Sequence, residues 1–152
     1  MMFKEVQNML SIWVVGIFLL IGAIFLYQMN GNIDDLISNP SLWILFVVFL
    51  LMFLIKLRTR YDEHGIHIRF IPLVWNKTIL WKDVQTGYMR TYNLMDFGGW
   101  GYRYGWNGTA INAKGKHGIQ LILMNGRKIL IGTQHPEEVQ KMIDIYLSNS
   151  DV

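Results

Sequence analysis

Ile119-Gln-Leu-Ile-Leu-Met-Asn-Gly-Arg-Lys-Ile-Leu-Ile131 carries the plainest structural signal in the chain. Asn125-Gly126 stands between two apolar runs, and a two-residue hairpin turn needs positive φ at both central residues. Counting back from such a turn, Ile122 faces Ile129 and Leu121 faces Leu130. Both faces are partly apolar, which places this hairpin in the middle of a sheet.

Downstream, Pro136 suits the first position of a helix. Glu137 and Glu138 favour the positive end of its dipole. Val139, Met142, Ile143 and Tyr146 then recur at i, i+3, i+4 and i+7, one apolar face. Upstream, Ile66, Ile68 and Phe70 alternate with His67, Arg69 and Ile71, the period of a strand. Pro72 ends it, since proline cannot donate to a ladder. Further strands are expected at 74–80, 85–93, 102–106 and 109–114, with a short turn at 81–84. About seven short strands closed by one C-terminal helix make an α+β domain over 58–152.

The first third of the chain reads differently. Residues 6–33 carry no charge, and Met9 to Tyr27 is interrupted only by Ser11, Gly16 and Gly22. As a helix this stretch spans about 28 Å at ~1.5 Å per residue, close to the ~30 Å hydrocarbon core of a bilayer. A second apolar run, Leu42 to Ile55, gains length from Ser41, Lys56 and Leu57, with Pro40 at its start. Two membrane spans are therefore expected, at about 9–27 and 41–57. Lys4 lies on one flank and Lys56, Arg58 and Arg60 on the other, whereas the intervening loop has no Lys or Arg. The bias of basic residues toward the cytoplasm then puts both termini inside. The expected organisation is a transmembrane helical hairpin over 1–57 and a cytoplasmic domain over 58–152.

Composition agrees with this reading. Of 152 residues 52% are apolar and only 16% charged, against about 25% in an ordinary soluble domain. Cysteine is absent, which excludes disulfides, a catalytic thiol and thiolate metal sites. The net charge of +3 is mild and gives no argument for nucleic-acid binding.

Four stretches carry a resemblance: Tyr61 to Arg69, Ile79 to Val84, Asp96 to Tyr104, and Asn125 to Glu138. Over Arg58 to about Ile145 the chain resembles the bacterial pleckstrin-homology-like domains of small two-helix membrane proteins. The resemblance implies a seven-stranded bent antiparallel sheet or barrel, capped by the C-terminal helix and preceded by a helical hairpin. It supplies a fold and no mechanism.

Residues 97–106 are all glycine or aromatic except Arg103. On a strand, Trp100, Tyr102, Tyr104 and Trp106 share one face and Arg103 the other. Two readings stand: a core stripe, or an aromatic partner surface with Arg103 reaching an anionic group. Lys114 and Lys116, with Arg127 and Lys128, lie near two turns and form either a solvated rim or a patch for an anionic lipid or acidic partner. Lys56, Arg58 and Arg60 mark the expected membrane exit. His64 and His67 point to opposite faces of a strand, which makes them poor co-ligands. No metal site, cofactor or catalytic constellation is expected.

The sequence thus leads to a non-catalytic interaction or scaffold module anchored at the inner face of the cytoplasmic membrane. Its expected partners are the lipid bilayer and another membrane or cytoplasmic protein, a second copy included, but not nucleic acid. The alternative is a module contacting anionic lipid head groups through its basic loops.

Overall fold

The computed structural model describes residues 1–28, 33–93, 101–105 and 108–148. The chain divides into two compact units, 1–8 with 56–152, and 9–55.

The first unit opens on a strand that the hydropathy pattern hides. β1 (Phe3–Asn8) pairs antiparallel with β2 (Lys56–Tyr61), so the whole 9–55 segment is inserted between two neighbouring strands. β3 (Gly65–Ile71) and β4 (Val74–Leu80) complete a four-stranded antiparallel sheet in the order β1-β2-β3-β4. A 3-10 turn, Trp81–Asp83, carries the chain into β5 (Val84–Thr91). With β6 (Gly101–Gly105), β7 (Gly108–Asn112), β8 (His117–Leu123) and β9 (Lys128–Thr133) it forms a second sheet in the order β5-β8-β9-β7-β6. β7 and β9 run parallel.

β8 and β9 are the central strands of the second sheet and are buried along most of their length. Their turn is not the two-residue turn that Asn125-Gly126 suggests. Leu121 pairs with Ile129 and Ile122 with Lys128, one residue out of the expected register. The Leu123 N–H donates to the Arg127 carbonyl at 2.9 Å, leaving three residues in the loop, with Gly126 at φ +78°. That is the glycine position of a three-residue hairpin loop. The Met124 N–H is diverted to the Asp83 carbonyl at 2.9 Å, which ties the turn to the crossing between the sheets.

α4 (Pro136–Ser148) lies over β5 and β8. A Cβ on Gly87 would stand 3.0 Å from Leu147 and 3.2 Å from Leu121, so glycine lets the helix come close to the sheet. Val139, Met142 and Ile143 are buried beneath it. Trp81 stacks on Tyr146, with ring centroids 5.4 Å apart, and donates its Nε1–H to the Asp62 carbonyl at 2.6 Å. The core between the sheets holds Leu57, Tyr61, Ile66, Ile68, Phe70, Ile119, Leu121 and Ile131.

β1 inverts the usual alternation. Its inward residues are Glu5 and Gln7, both buried, while Val6 faces out and is 61% exposed. Glu5 accepts the Thr133 hydroxyl at 2.6 Å and the Gln134 N–H at 2.7 Å. Gln7 donates to the Gly132 carbonyl at 2.8 Å. β1 therefore links the first sheet to the last turn of the second. Burial, and next the charge of Glu5, push the Tyr61 hydroxyl well above its ordinary pKa.

The second unit contains α1 (Ile12–Gln28), α2 (Ile33–Ser38) and α3 (Pro40–Leu54). Asn39 caps α3 by accepting the Ser41 N–H at 2.9 Å, ahead of Pro40. Phe18 of α1 meets Phe49 of α3 edge to face at 5.1 Å.

These helices correct the expectation of two membrane spans. Among the described residues, no helix is long and apolar enough to cross a membrane. α1 has 17 residues and α3 has 15. At ~1.5 Å per residue they reach only about 26 and 23 Å, short of a ~30 Å hydrocarbon core. Met9 to Ser11, counted toward the first span, lie before the helix. Lys56 and Leu57, counted toward the second, belong to β2. The multi-pass assignment to the cytoplasmic membrane, with both termini inside, falls with the spans on which it was built. Lys4, Lys56, Arg58 and Arg60 are strand residues rather than loop flanks. The expected single bent sheet of about seven strands is replaced by two open sheets of four and five strands with one parallel pair.

Replacing Glu5 by alanine strands two donors at a buried site. Loss of a buried acceptor costs about 1–3 kcal/mol per group. Glu5→Ala is expected to lower the unfolding free energy by roughly 2–5 kcal/mol in urea titrations. A change under about 0.5 kcal/mol, the size of an ordinary surface substitution, would show that β1 is not anchored this way.

Candidate functional site

A cleft in the first unit lies where the two sheets part. Among the described residues β4 ends one sheet and β6 ends the other, and no ladder joins them. The opening is about 750 Å³. β4 contributes Lys77, Thr78 and Ile79, and β6 contributes Tyr102 and Tyr104. The β8–β9 turn closes one side with Asn125, Gly126, Arg127 and Lys128.

Local structure explains the placement. Lys77 shares the inward face of β4 with buried Ile79, and pairs in register with Ile68. Its ammonium therefore points toward the gap between the sheets, where it lies 6.0 Å from the centroid of the Tyr102 ring. That is the outer limit of a cation–π contact. Gly108 sits at φ +103°, and a side chain there would overlap Lys128. Glycine at this point lets β7 press against β9 beneath the cleft.

The electrostatics are one-sided. Lys77, Arg127 and Lys128 line the opening, with Asp83 the one acid among its described lining residues. Partial burial, and then the Arg127 charge, hold Lys77 below the ordinary lysine pKa. Like charges are held together here, so an anion entering the cleft would relieve their repulsion.

The residues named from the sequence fall into separate places. Tyr102, Tyr104, Arg127 and Lys128 meet at the cleft. Tyr104 is 86% exposed and Tyr102 39%, so these two aromatics are not core. Arg103 is on the opposite face of β6 and makes its own contacts. Trp100 and Trp106 lie outside the described residues. Lys114 and Lys116 do not join Arg127 and Lys128. The Lys114 carbonyl accepts from Gln134 and the Lys116 carbonyl from the Tyr92 N–H, at the other end of the β8–β9 ladder. Lys77 was not singled out from the sequence. Its signal was a charge on the face of a strand that otherwise points inward.

A second cluster surrounds Asp62 at the β2–β3 turn. Its carboxylate accepts the backbone N–H of His64 at 3.1 Å and of Gly65 at 3.3 Å. Arg60 pairs with it at 2.8 Å and His67 Nε2 lies 3.2 Å away. His67 Nδ1 in turn lies 3.0 Å from the Thr78 hydroxyl. Burial alone would raise the Asp62 pKa, but the His64 N–H, the His67 contact and charge, and the Gly65 N–H outweigh it. The carboxyl is held below its ordinary value. A carboxylate with so many donors is a weak base, and this one locks a turn. No group of three or more metal-ligating side chains occurs among the described residues.

No family model, curated protein or solved structure matches this chain. The resemblance to bacterial pleckstrin-homology-like membrane proteins is accordingly corrected. The comparisons support no family, and the architecture of two open sheets departs from the one that resemblance implied.

A depressed folded pKa at Asp62 means that the ionised form stabilises the native state. The contribution is complete above the unfolded value of 3.8 and disappears as pH falls through the lower folded value. Asp62→Asn is expected to lower stability by about 1–3 kcal/mol at neutral pH. The gap to the parent should narrow in acid, below the carboxylate range. A gap that stays constant with pH would contradict the assignment.

Proposed function

We propose that the chain is a non-catalytic interaction module whose cleft receives an acidic segment of a partner protein. The carrying observation is the convergence of Lys77, Arg127 and Lys128 with Tyr102 and Tyr104 around one opening between two sheet edges. Each feature suits an extended acidic chain. The cations meet carboxylates. The tyrosines offer apolar area with a polar tip. β4 and β6 are the end strands of their sheets among the described residues, and their backbone N–H and C=O groups are ones to which an extended segment can add. Arg127 and Lys128 are two of the four loop cations in the alternative reading of head-group contact, with Lys114 and Lys116. Their separation from Lys114 and Lys116 favours a confined cleft over a broad basic rim.

A fluorescein-labelled oligoglutamate peptide tests the reading by anisotropy. Saturable binding is expected, weakening with salt as screening grows. Arg127→Gln/Lys128→Gln is expected to weaken it roughly tenfold, about 1.4 kcal/mol, with an unchanged unfolding midpoint. Absence of saturable binding, or equal binding by the folded double variant, would refute the proposal.

A further inference from the structure

The outer face of the four-stranded sheet is a separate surface from the cleft. Its outward positions are set by the ladders. β2 alternates buried Leu57, Thr59 and Tyr61 with outward Lys56, Arg58 and Arg60. Across one ladder Lys4 stands opposite Arg60, and across the other Arg58 stands opposite Arg69. Lys4, Arg58, Arg60 and Arg69 are all exposed. The described outward strand positions thus carry five cations, Lys4, Lys56, Arg58, Arg60 and Arg69, and no acid. Asp62, in the turn beyond β2, offsets Arg60 alone.

Four of these cations, in two pairs, face a like charge directly across a ladder, an arrangement that destabilises a sheet. An ordinary solvated face mixes both signs. The arrangement calls for an external anion.

Apolar residues accompany the charge. Val6 lies on the same face, next to Arg58 in register, and is 61% exposed. At one end of the sheet Leu73 in the β3–β4 turn (51%) and Trp75 at the start of β4 (71%) are exposed. A face of cations bordered by an exposed Leu and Trp matches a surface that is anionic outside and apolar beneath. Tryptophan favours that boundary, and each Lys or Arg near an anionic leaflet adds about 1 kcal/mol. A nucleic acid would meet the charges but gives Leu73 no apolar layer to enter.

We propose that this face docks on an anionic lipid surface, with Lys4, Arg58, Arg60 and Arg69 against the head groups and Leu73 and Trp75 entering the interface. The contact is peripheral and requires no spanning helix. It involves none of the cleft residues.

Co-sedimentation of the full chain tests it, using phosphatidylcholine vesicles with and without phosphatidylglycerol. Tighter binding to the anionic vesicles is expected, falling as salt rises. Arg58→Gln/Arg69→Gln should reduce that binding about twenty-five-fold, the product of roughly fivefold per charge. This variant also removes a like-charge pair, so its unfolding midpoint should not fall. Leu73→Ser/Trp75→Ser should weaken binding to both kinds of vesicle, and Arg127→Gln/Lys128→Gln should leave both unchanged. Equal binding to neutral and anionic vesicles would overturn the proposal. So would full binding by the Arg58/Arg69 variant, or capture of a single-stranded RNA oligonucleotide in place of vesicles.

Discussion

The buried carboxylate of Glu5 is the contact on which the architecture of the larger unit turns. It accepts one hydroxyl and one backbone N–H from the end of β9, while its strand is paired with β2. Two sheets that share no ladder are thereby joined through side chains. A buried charge is tolerated only where donors surround it, and here they come from residues 128 and 129 positions away in sequence. The same contact brings residues 1–8 and 56–133 together across the intervening helices, so those helices form an insertion rather than a preceding domain.

Two open sheets leave two kinds of surface. Where their edges diverge, a cleft remains that the β8–β9 turn and the two end strands line with cations and tyrosines. On the outside of the smaller sheet, the pleat sorts alternate residues of β2 into core and basic face. Both surfaces select anions, by different geometry. The cleft is concave and offers backbone edges as well as charge. The sheet face is broad, bordered at one end by exposed apolar side chains. Asp62 stands between the two systems. It fixes the β2–β3 turn, holds Arg60 at the rim of the face, and meets His67, which leans on Thr78 at the wall of the cleft.

Much of the larger unit could be read directly. The strands from β3 onward lie near the positions that alternation gives, and α4 begins at Pro136 with the expected apolar face. Local chemistry suffices in those segments because each has a period, a breaker or a cap of its own. The readings failed where a distant partner decides the outcome. Apolar runs near residues 9–27 and 41–57 resemble membrane spans when only their length is counted. Met9 to Ser11 lie before α1, β2 claims Lys56 and Leu57, and among the described residues the helices that remain are too short. β1 itself is hidden because its inward residues are polar and its outward valine is not. The register of the Asn-Gly turn shifted because the Asp83 carbonyl takes the Met124 N–H.

The sequence by itself determined the α+β class, the strand-forming segments of the second half, the closing amphipathic helix, and the identity of the aromatic and basic residues that could meet a partner. Only the tertiary structure decided which of them share a site. Tyr102 and Tyr104 join Arg127, Lys128 and Lys77, while Lys114 and Lys116 lie at the far end of the ladder and Arg58 meets Arg69 on another face. The physical reason is that periodicity reports which way a side chain points within its own strand. Strand pairing, set by buried partners far away in the chain, determines what it then faces.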